Sequence, residues 1–138
     1  MGAFTMTIAI ALILHPTDGT VLIAQRKDDA PQGGLWEFPG GKCLSGESPE
    51  ACAVRETLEE TDLKVRILEV WPTITYDYPD RIVVLHPFLC RAETADAQPI
   101  ESKRVAWVPF AALRNYAFPD ANAPLLARLG AKAGGFTG

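Results

Sequence analysis

The 138 residues suffice for one compact domain that buries roughly two thirds of the surface of its unfolded chain, so neither disulfides nor a structural metal are needed for folding. With 48% apolar and 22% charged residues the composition is that of an ordinary globular protein, and flexible tails are expected only at about residues 1–5 and 131–138. A net charge of −4 argues against a nucleic-acid polymer, whose binding rests on clustered Lys and Arg, and leaves room only for a small polyanion held by local cations or metal ions.

In chain order, residues 7–14 are β-branched and apolar, the segment His15-Pro16-Thr17-Asp18-Gly19 is dense in turn formers, and residues 21–24 are apolar again, which predicts a hairpin. The apolar run 8–14 is far shorter than the roughly 20 residues of a membrane span and no charged segment precedes it, and Met6 stands where a myristoylation signal wants a hydroxyl; no membrane attachment is expected. Residues 27–34, with Pro31 and the Gly33-Gly34 pair, predict a mobile surface loop before an extended piece at 35–38. Ser48 is a good N-cap, Pro49 suits the first helical position, and residues 50–61 contain no Gly or Pro, so a helix is predicted there. Strands follow at 65–70, 73–78 and 82–90, the last two joined across Pro79-Asp80-Arg81, then a short strand at 105–108 and a closing helix at 124–129. The cysteines Cys43, Cys52 and Cys90 are odd in number and lack a CxxC spacing, so a reducing cytoplasm is the expected home.

The chemistry concentrates in Gly40-Gly41-Lys42, Gly46-Glu47-Ser48-Pro49-Glu50 and Arg55-Glu56-Thr57-Leu58-Glu59-Glu60. Glu56, Glu59 and Glu60 stand at i, i+3 and i+4, so they share one helix face within about 5–6 Å at Cβ. Like charges at that spacing repel, and acids late in a helix oppose its dipole, so a bound cation is expected there. Hard oxygen donors suit Mg²⁺, with Mn²⁺ as a substitute, and such an ion neutralises a polyphosphate and activates water. A bare acidic face is ordinarily just solvated. Here Gly41, Glu47, Arg55, Glu56, Glu59 and Glu60 occur at set distances, a coincidence expected on the order of once in 10⁷ to 10⁸ positions.

Residues 41–63 resemble the Nudix box, Gly-x5-Glu-x7-Arg-Glu-U-x-Glu-Glu-x-Gly-U, where U is a bulky aliphatic. Thr57 replaces an aliphatic and Asp62 replaces the second glycine; Thr57 still presents a methyl to the core, and Asp tolerates a left-handed helix end. The resemblance implies an α/β fold (α+β), the Nudix α/β/α sandwich with a central mixed sheet, spanning 1–138 as a single domain, monomeric or homodimeric. It further implies metal binding by Glu56, Glu59 and Glu60 with the Gly41 carbonyl, Arg55 and Glu47 orienting the cluster.

Beyond the box, the chain is similar to the MutT branch in Leu35-Trp36-Glu37-Phe38-Pro39-Gly40-Gly41-Lys42, Tyr76-Asp77-Tyr78-Pro79-Asp80-Arg81 and Phe118-Pro119-Asp120-Ala121-Asn122-Ala123-Pro124. That branch hydrolyses nucleoside triphosphates to monophosphate and pyrophosphate, often 8-oxo-dGTP, which implies a small nucleotide substrate and a role in nucleotide-pool sanitation. In this likeness Asn122 reads the base edge or, alternatively, starts the final helix. Phe38 and Tyr78 supply stacking surface or core. Arg26 reaches a phosphate or sugar or is an exposed strand-end residue, Glu37 belongs to the substrate-binding set, and Lys42 meets the leaving phosphates or is a solvated loop lysine. Glu101, six residues before Trp107, matches a loop acid that binds metal or acts as general base; the proton acceptor is Glu101, Glu56 or Glu60. The box is common to enzymes acting on CTP or modified pyrimidine nucleotides, dinucleoside polyphosphates and ADP-ribose, and a related non-catalytic module recognises oxidised guanine in DNA but lacks the metal-binding glutamates.

Overall fold

The computed structural model describes residues 4–132. In chain order it contains strands β1 (Phe4–Leu14), β2 (Val21–Gln25), β3 (Trp36–Glu37) and β4 (Gly40–Lys42), then helix α1 (Pro49–Thr61). Strands β5 (Val65–Val70), β6 (Ile74–Asp77), β7 (Arg81–Ala92) and β8 (Arg104–Val108) follow. Two 3₁₀ turns, Phe110–Asn115 and Asp120–Asn122, lead into helix α2 (Ala123–Lys132).

β1 and β7 are the longest strands and run parallel, in register from Phe4 opposite Arg81 to Leu14 opposite Arg91. Both are nearly continuous apolar runs, as expected of strands covered on two faces. β2 and β4 flank β1, β5 and β6 flank β7, and β3 and β8 extend β2, all antiparallel, which makes the sheet mixed. Alternation along β1 sorts its side chains between two cores. Ala9, Ala11 and Ile13 pack with Cys52 and Ala53 of α1 and with Phe88 and Cys90, while Leu12 and Leu14 pack with Phe38, Leu89, Leu125 and Leu129 on the α2 side. The result is an α/β/α sandwich. Among the described residues no helix is long and apolar enough to cross a membrane.

The sequence features of α1 act as expected. Ser48 Oγ accepts from Ala51 N at 3.1 Å, and Pro49 occupies the first turn. Thr57 and Thr61 are buried, and each hydroxyl donates to the carbonyl four residues back at 2.7 Å, so two polar groups enter the core without an unmet donor. Asp62 ends the helix at φ 60°, ψ 23°, its N–H reaching Leu58 O at 3.0 Å.

The structure differs from the sequence reading at several borders. β1 begins at Phe4 rather than residue 7, because β7 offers partners as far as Arg81. Phe4 and Thr5, read as tail, are therefore paired strand residues, and residues 131 and 132 belong to α2. The rest of the expected tails, 1–3 and 133–138, lie outside the described residues. β4 was not expected, since glycines are poor strand formers. It forms because a Cβ at Gly40 would collide with the backbone carbonyl of Ala9, so only glycine lets the two strands approach this closely.

Asp62→Gly is expected to stabilise the protein by about 0.5–1 kcal/mol, since Asp spends free energy in the left-handed region that Gly occupies without a Cβ penalty. Urea denaturation at constant m-value checks this; a destabilised variant would show that the Asp62 side chain itself supports the helix end.

Candidate active site

Arg55 organises the first half of the acidic cluster. Its Nε and Nη2 donate to the two oxygens of Glu47 at 2.7 and 2.9 Å, which is the strong bidentate geometry. Nη1 reaches Glu56 Oε1 and Glu59 Oε2, each at 3.0 Å, and Nη2 also reaches Lys42 O at 3.2 Å. The guanidinium hydrogen bonds, with a backbone bond from Leu44, hold the Glu47 carboxyl down at about 2, and the Glu47 carboxylate raises Arg55 in turn. Thus the loop after β4, the strand end and α1 are tied at one cation.

Glu60 lies on the opposite side of the cluster. Its Oε2 accepts from Gly40 N at 2.9 Å, yet burial, with added repulsion from Glu56, Glu37 and Glu101, pushes its carboxyl up to about 8. Glu101 reaches this position because its loop caps α1: Gln98 N donates to Thr61 O at 2.8 Å and Ile100 N to Glu60 O at 3.2 Å. Glu37, Glu60 and Glu101 then border one small hollow. Gly41 completes the arrangement, since a Cβ there would stand 2.5 Å from the Glu56 carboxyl carbon.

Among the described residues no three acidic, His or Cys side chains converge tightly enough to define a metal cage. The physical reason is visible: Arg55 draws Glu56 and Glu59 to one side while Gly40 N holds Glu60 on the other. The Gly41 carbonyl accepts a weak bond from the Cys52 thiol at 3.6 Å. All available donors are hard oxygens, and the repulsion raising Glu60 is relieved by positive charge, so the donor set fits a divalent ion of the Mg²⁺ or Mn²⁺ type.

Beside the cluster opens a cleft of about 360 Å³ bordered by Arg26, Glu37, Phe38, Gly41, Glu60 and Asn122. Arg26 Nη1 meets Glu37 Oε1 at 2.6 Å, and its Nε donates to Pro31 O at 2.7 Å. Phe38 stacks on Phe118 with centroids 5.2 Å apart. Asn122 closes the 3₁₀ turn, with its amide Nδ2 3.4 Å from Pro119 O, and Tyr76 Oη anchors the neighbouring Ala121 O at 2.8 Å. A larger hollow of about 530 Å³ lies between the two 3₁₀ turns and α2; among the described residues the acid on its border is Asp120, and none of the glutamates of the cluster lines it.

Two expected substrate contacts fall outside the cleft. Lys42 is exposed at the end of β4, where the chain turns out towards Glu47. Tyr78 sits in the β6–β7 turn, its ring 6.4 Å from Tyr76 and 4.9 Å below the Arg81 guanidinium. Conversely, Ile8, Ile10 and Leu85 form part of the cleft wall and Gln32 part of its rim, none of them singled out from sequence. For the aliphatics no local signal exists, because their exposure to the cleft depends on the parallel pairing of β1 with β7.

Comparison with known proteins bears on this geometry. A family model described as the NUDIX domain matches residues 5–129. The chain is 31% identical over 124 residues to the 8-oxo-dGTP diphosphatase of Escherichia coli (strain K12), covering 90% of this chain and 95% of that protein. It is 30% identical over 119 residues to the CTP pyrophosphohydrolase of the same strain, covering 86% and 88%. Among solved structures, the E. coli ORF135 protein superposes with a TM-score of 0.79 at 29% identity, over 94% of this chain and 91% of that one.

Without metal, the folded protein holds the Glu60 proton to about pH 8, whereas the unfolded chain releases it near the ordinary value of 4.5. That contribution to stability is fully present below 4.5 and is lost as pH rises through about 8. In EDTA the melting temperature is expected to fall between about pH 5 and pH 8, by roughly 5 °C or more. Glu60→Gln should flatten the fall and be the more stable protein at the upper end; equal slopes in both proteins would overturn the assignment.

Proposed function

The chain belongs to the NUDIX domain family, and on that premise we propose that its cleft hydrolyses a nucleoside triphosphate, 8-oxo-dGTP or a related modified nucleotide, to the monophosphate and pyrophosphate. The observation that carries this reading is the make-up of the cleft. Its border combines Glu60 and Gly41 of the acidic cluster with the Asn122 amide and with Phe38, whose ring stacks on Phe118. A molecule that joins a polyphosphate to a flat base with hydrogen-bonding edges suits that combination.

Glu56, Glu59, Glu60 and Glu101, with the Gly41 carbonyl, would hold Mg²⁺, with Mn²⁺ as a substitute. Such an ion, when bound, neutralises polyphosphate charge and makes a water more acidic. Arg55 holds Glu56 and Glu59 in orientation through the bonds described above. Asn122 both donates and accepts, as base discrimination requires. Glu101 would serve either as a further metal ligand or as general base, the proton acceptor from the attacking water being Glu101, Glu56 or Glu60. Sanitation of the nucleotide pool in the cytoplasm is the role that fits such a reaction. The similar identity to a CTP pyrophosphohydrolase supports a second reading, in which the base is a pyrimidine.

A panel of 8-oxo-dGTP, dGTP, CTP, a dinucleoside polyphosphate and ADP-ribose, incubated with Mg²⁺ and assayed by separating and quantifying the nucleotide products, decides between them. The expected result is the highest kcat/KM for 8-oxo-dGTP; a preference for CTP installs the second reading. EDTA is expected to abolish turnover, and Glu59→Gln or Glu60→Gln to lower kcat by roughly 10²-fold or more with the fold retained.

Asn122→Ala is expected to weaken the preferred purine nucleotide by about 1–3 kcal/mol and a non-preferred base much less, while Glu101→Gln slows turnover at unchanged preference. Equal slowing of every nucleotide by Asn122→Ala would reduce Asn122 to a helix-start residue. Attack is expected on the β-phosphorus, so ¹⁸O from labelled water should appear in pyrophosphate; label in the monophosphate would place it on the α-phosphorus.

A further inference from the structure

We infer that a small phosphate ion binds at the far end of the sheet, in a pocket built on the cross-strand pair Arg66 and Arg91. The two arginines are directly opposite each other in the antiparallel β5–β7 ladder. On β5 the neighbours Val65 and Ile67 pack towards α1, and on β7 so do Cys90 and Ala92, so both arginines project from the other face of the sheet. Like charges directly opposite on adjacent strands are destabilising. Neither guanidinium has an ion pair or side-chain hydrogen bond among the described residues, although the chain carries an excess of acids that could have supplied one.

The second observation is a buried orphan. Arg91 Nε is shielded from solvent and has no hydrogen-bond partner among the described residues. A buried donor left unmet is costly, and one beside a cavity calls for a ligand. That cavity exists: Arg66 and Arg91, with Pro16, Ala92 and Glu93, border a pocket of about 280 Å³. Glu93 lies on its border without forming an ion pair to either arginine.

Two fork-shaped donors facing one pocket suit a tetrahedral dianion, which accepts several charge-assisted bonds at once. Among the described residues the pocket offers two guanidiniums and no aromatic side chain on which a base could stack, so the occupant is free phosphate or pyrophosphate rather than a whole nucleotide. The site is separate from the cleft. Arg91 is six residues beyond Leu85 of the cleft wall, about 20 Å along β7 at 3.3 Å per residue. The inference therefore stands whether or not the nucleotide reading is correct, and it gives the protein a place to sense the pyrophosphate that such a reaction would release.

Titration of the full-length protein with inorganic pyrophosphate in EDTA, followed by amide ¹H–¹⁵N spectra, tests the site with the carboxylate-lined cleft left without its cation. Shifts are expected at Arg66, Arg91, Ala92 and Glu93. Arg66→Glu, which converts the like-charge pair into an ion pair, should weaken that response by at least about tenfold, leave the melting temperature equal or higher, and leave kcat/KM for the nucleotide unchanged at low pyrophosphate. Arg91→Gln should weaken the response similarly. Should Arg66→Glu prove unfolded, Arg66→Gln replaces it with the same expected loss of binding. A nucleoside monophosphate in a parallel titration should bind more weakly than pyrophosphate; tighter binding would overturn the free-ion assignment. Shifts confined to cleft residues such as Arg26 and Asn122, or a response that survives both arginine substitutions, would overturn the site.

Discussion

α1 carries Glu56, Glu59 and Glu60 where their mutual repulsion and the negative end of the helix dipole both oppose them, and much of the surrounding architecture can be understood as the means of holding that charge in place. Arg55 offsets two of the three and binds Glu47 at the same time, so one cation joins the helix to the loop that precedes it. Gly40 N donates to the third. The loop bearing Glu101 places its amides on the carbonyls of the last helical turn, which removes part of the unmet negative end while bringing a further carboxylate to the site. What remains uncompensated is the crowding at Glu60, and positive charge from a bound ion is the natural complement.

This arrangement needs a rigid platform, which the β1–β7 pair supplies. Small residues on the α1 face of β1, with Cys52 and Ala53 opposite them, let the helix lie close to the sheet, while the larger leucines on the other face fill the space beneath α2. Gly40 and Gly41 serve the same purpose at the strand edge. One allows β4 to approach Ala9, and the other leaves room for the Glu56 carboxylate. In both positions a side chain would separate the acidic cluster from the strands that bound the cleft.

Charge is distributed unevenly along the sheet. The end bordered by Glu37, Glu60 and Glu101 is acidic and suits a cation with its polyphosphate, whereas the end bordered by Arg66 and Arg91 is basic in a chain of net charge −4. Local potential, not the global sign, governs which small ions each end attracts.

The family, helix α1 and its ends were legible in the sequence, because they rest on short-range rules. Ser48, Pro49 and Asp62 mark the helix termini within a few residues of one another, and the spacing of Glu56, Glu59 and Glu60 places them on one face by helical geometry alone. Tertiary structure decided how those acids are shared between Arg55 and Gly40, that Phe38, Arg26 and Asn122 border one cleft, and that Lys42 and Tyr78 do not. It also decided that Gly40–Lys42 would pair as a strand and that Ile8, Ile10 and Leu85 would face the cleft. These outcomes depend on the register between strands some 75 residues apart in the chain, such as Ile10 beside Pro87, and no local pattern encodes a register that arises only when both strands are packed between the two helices.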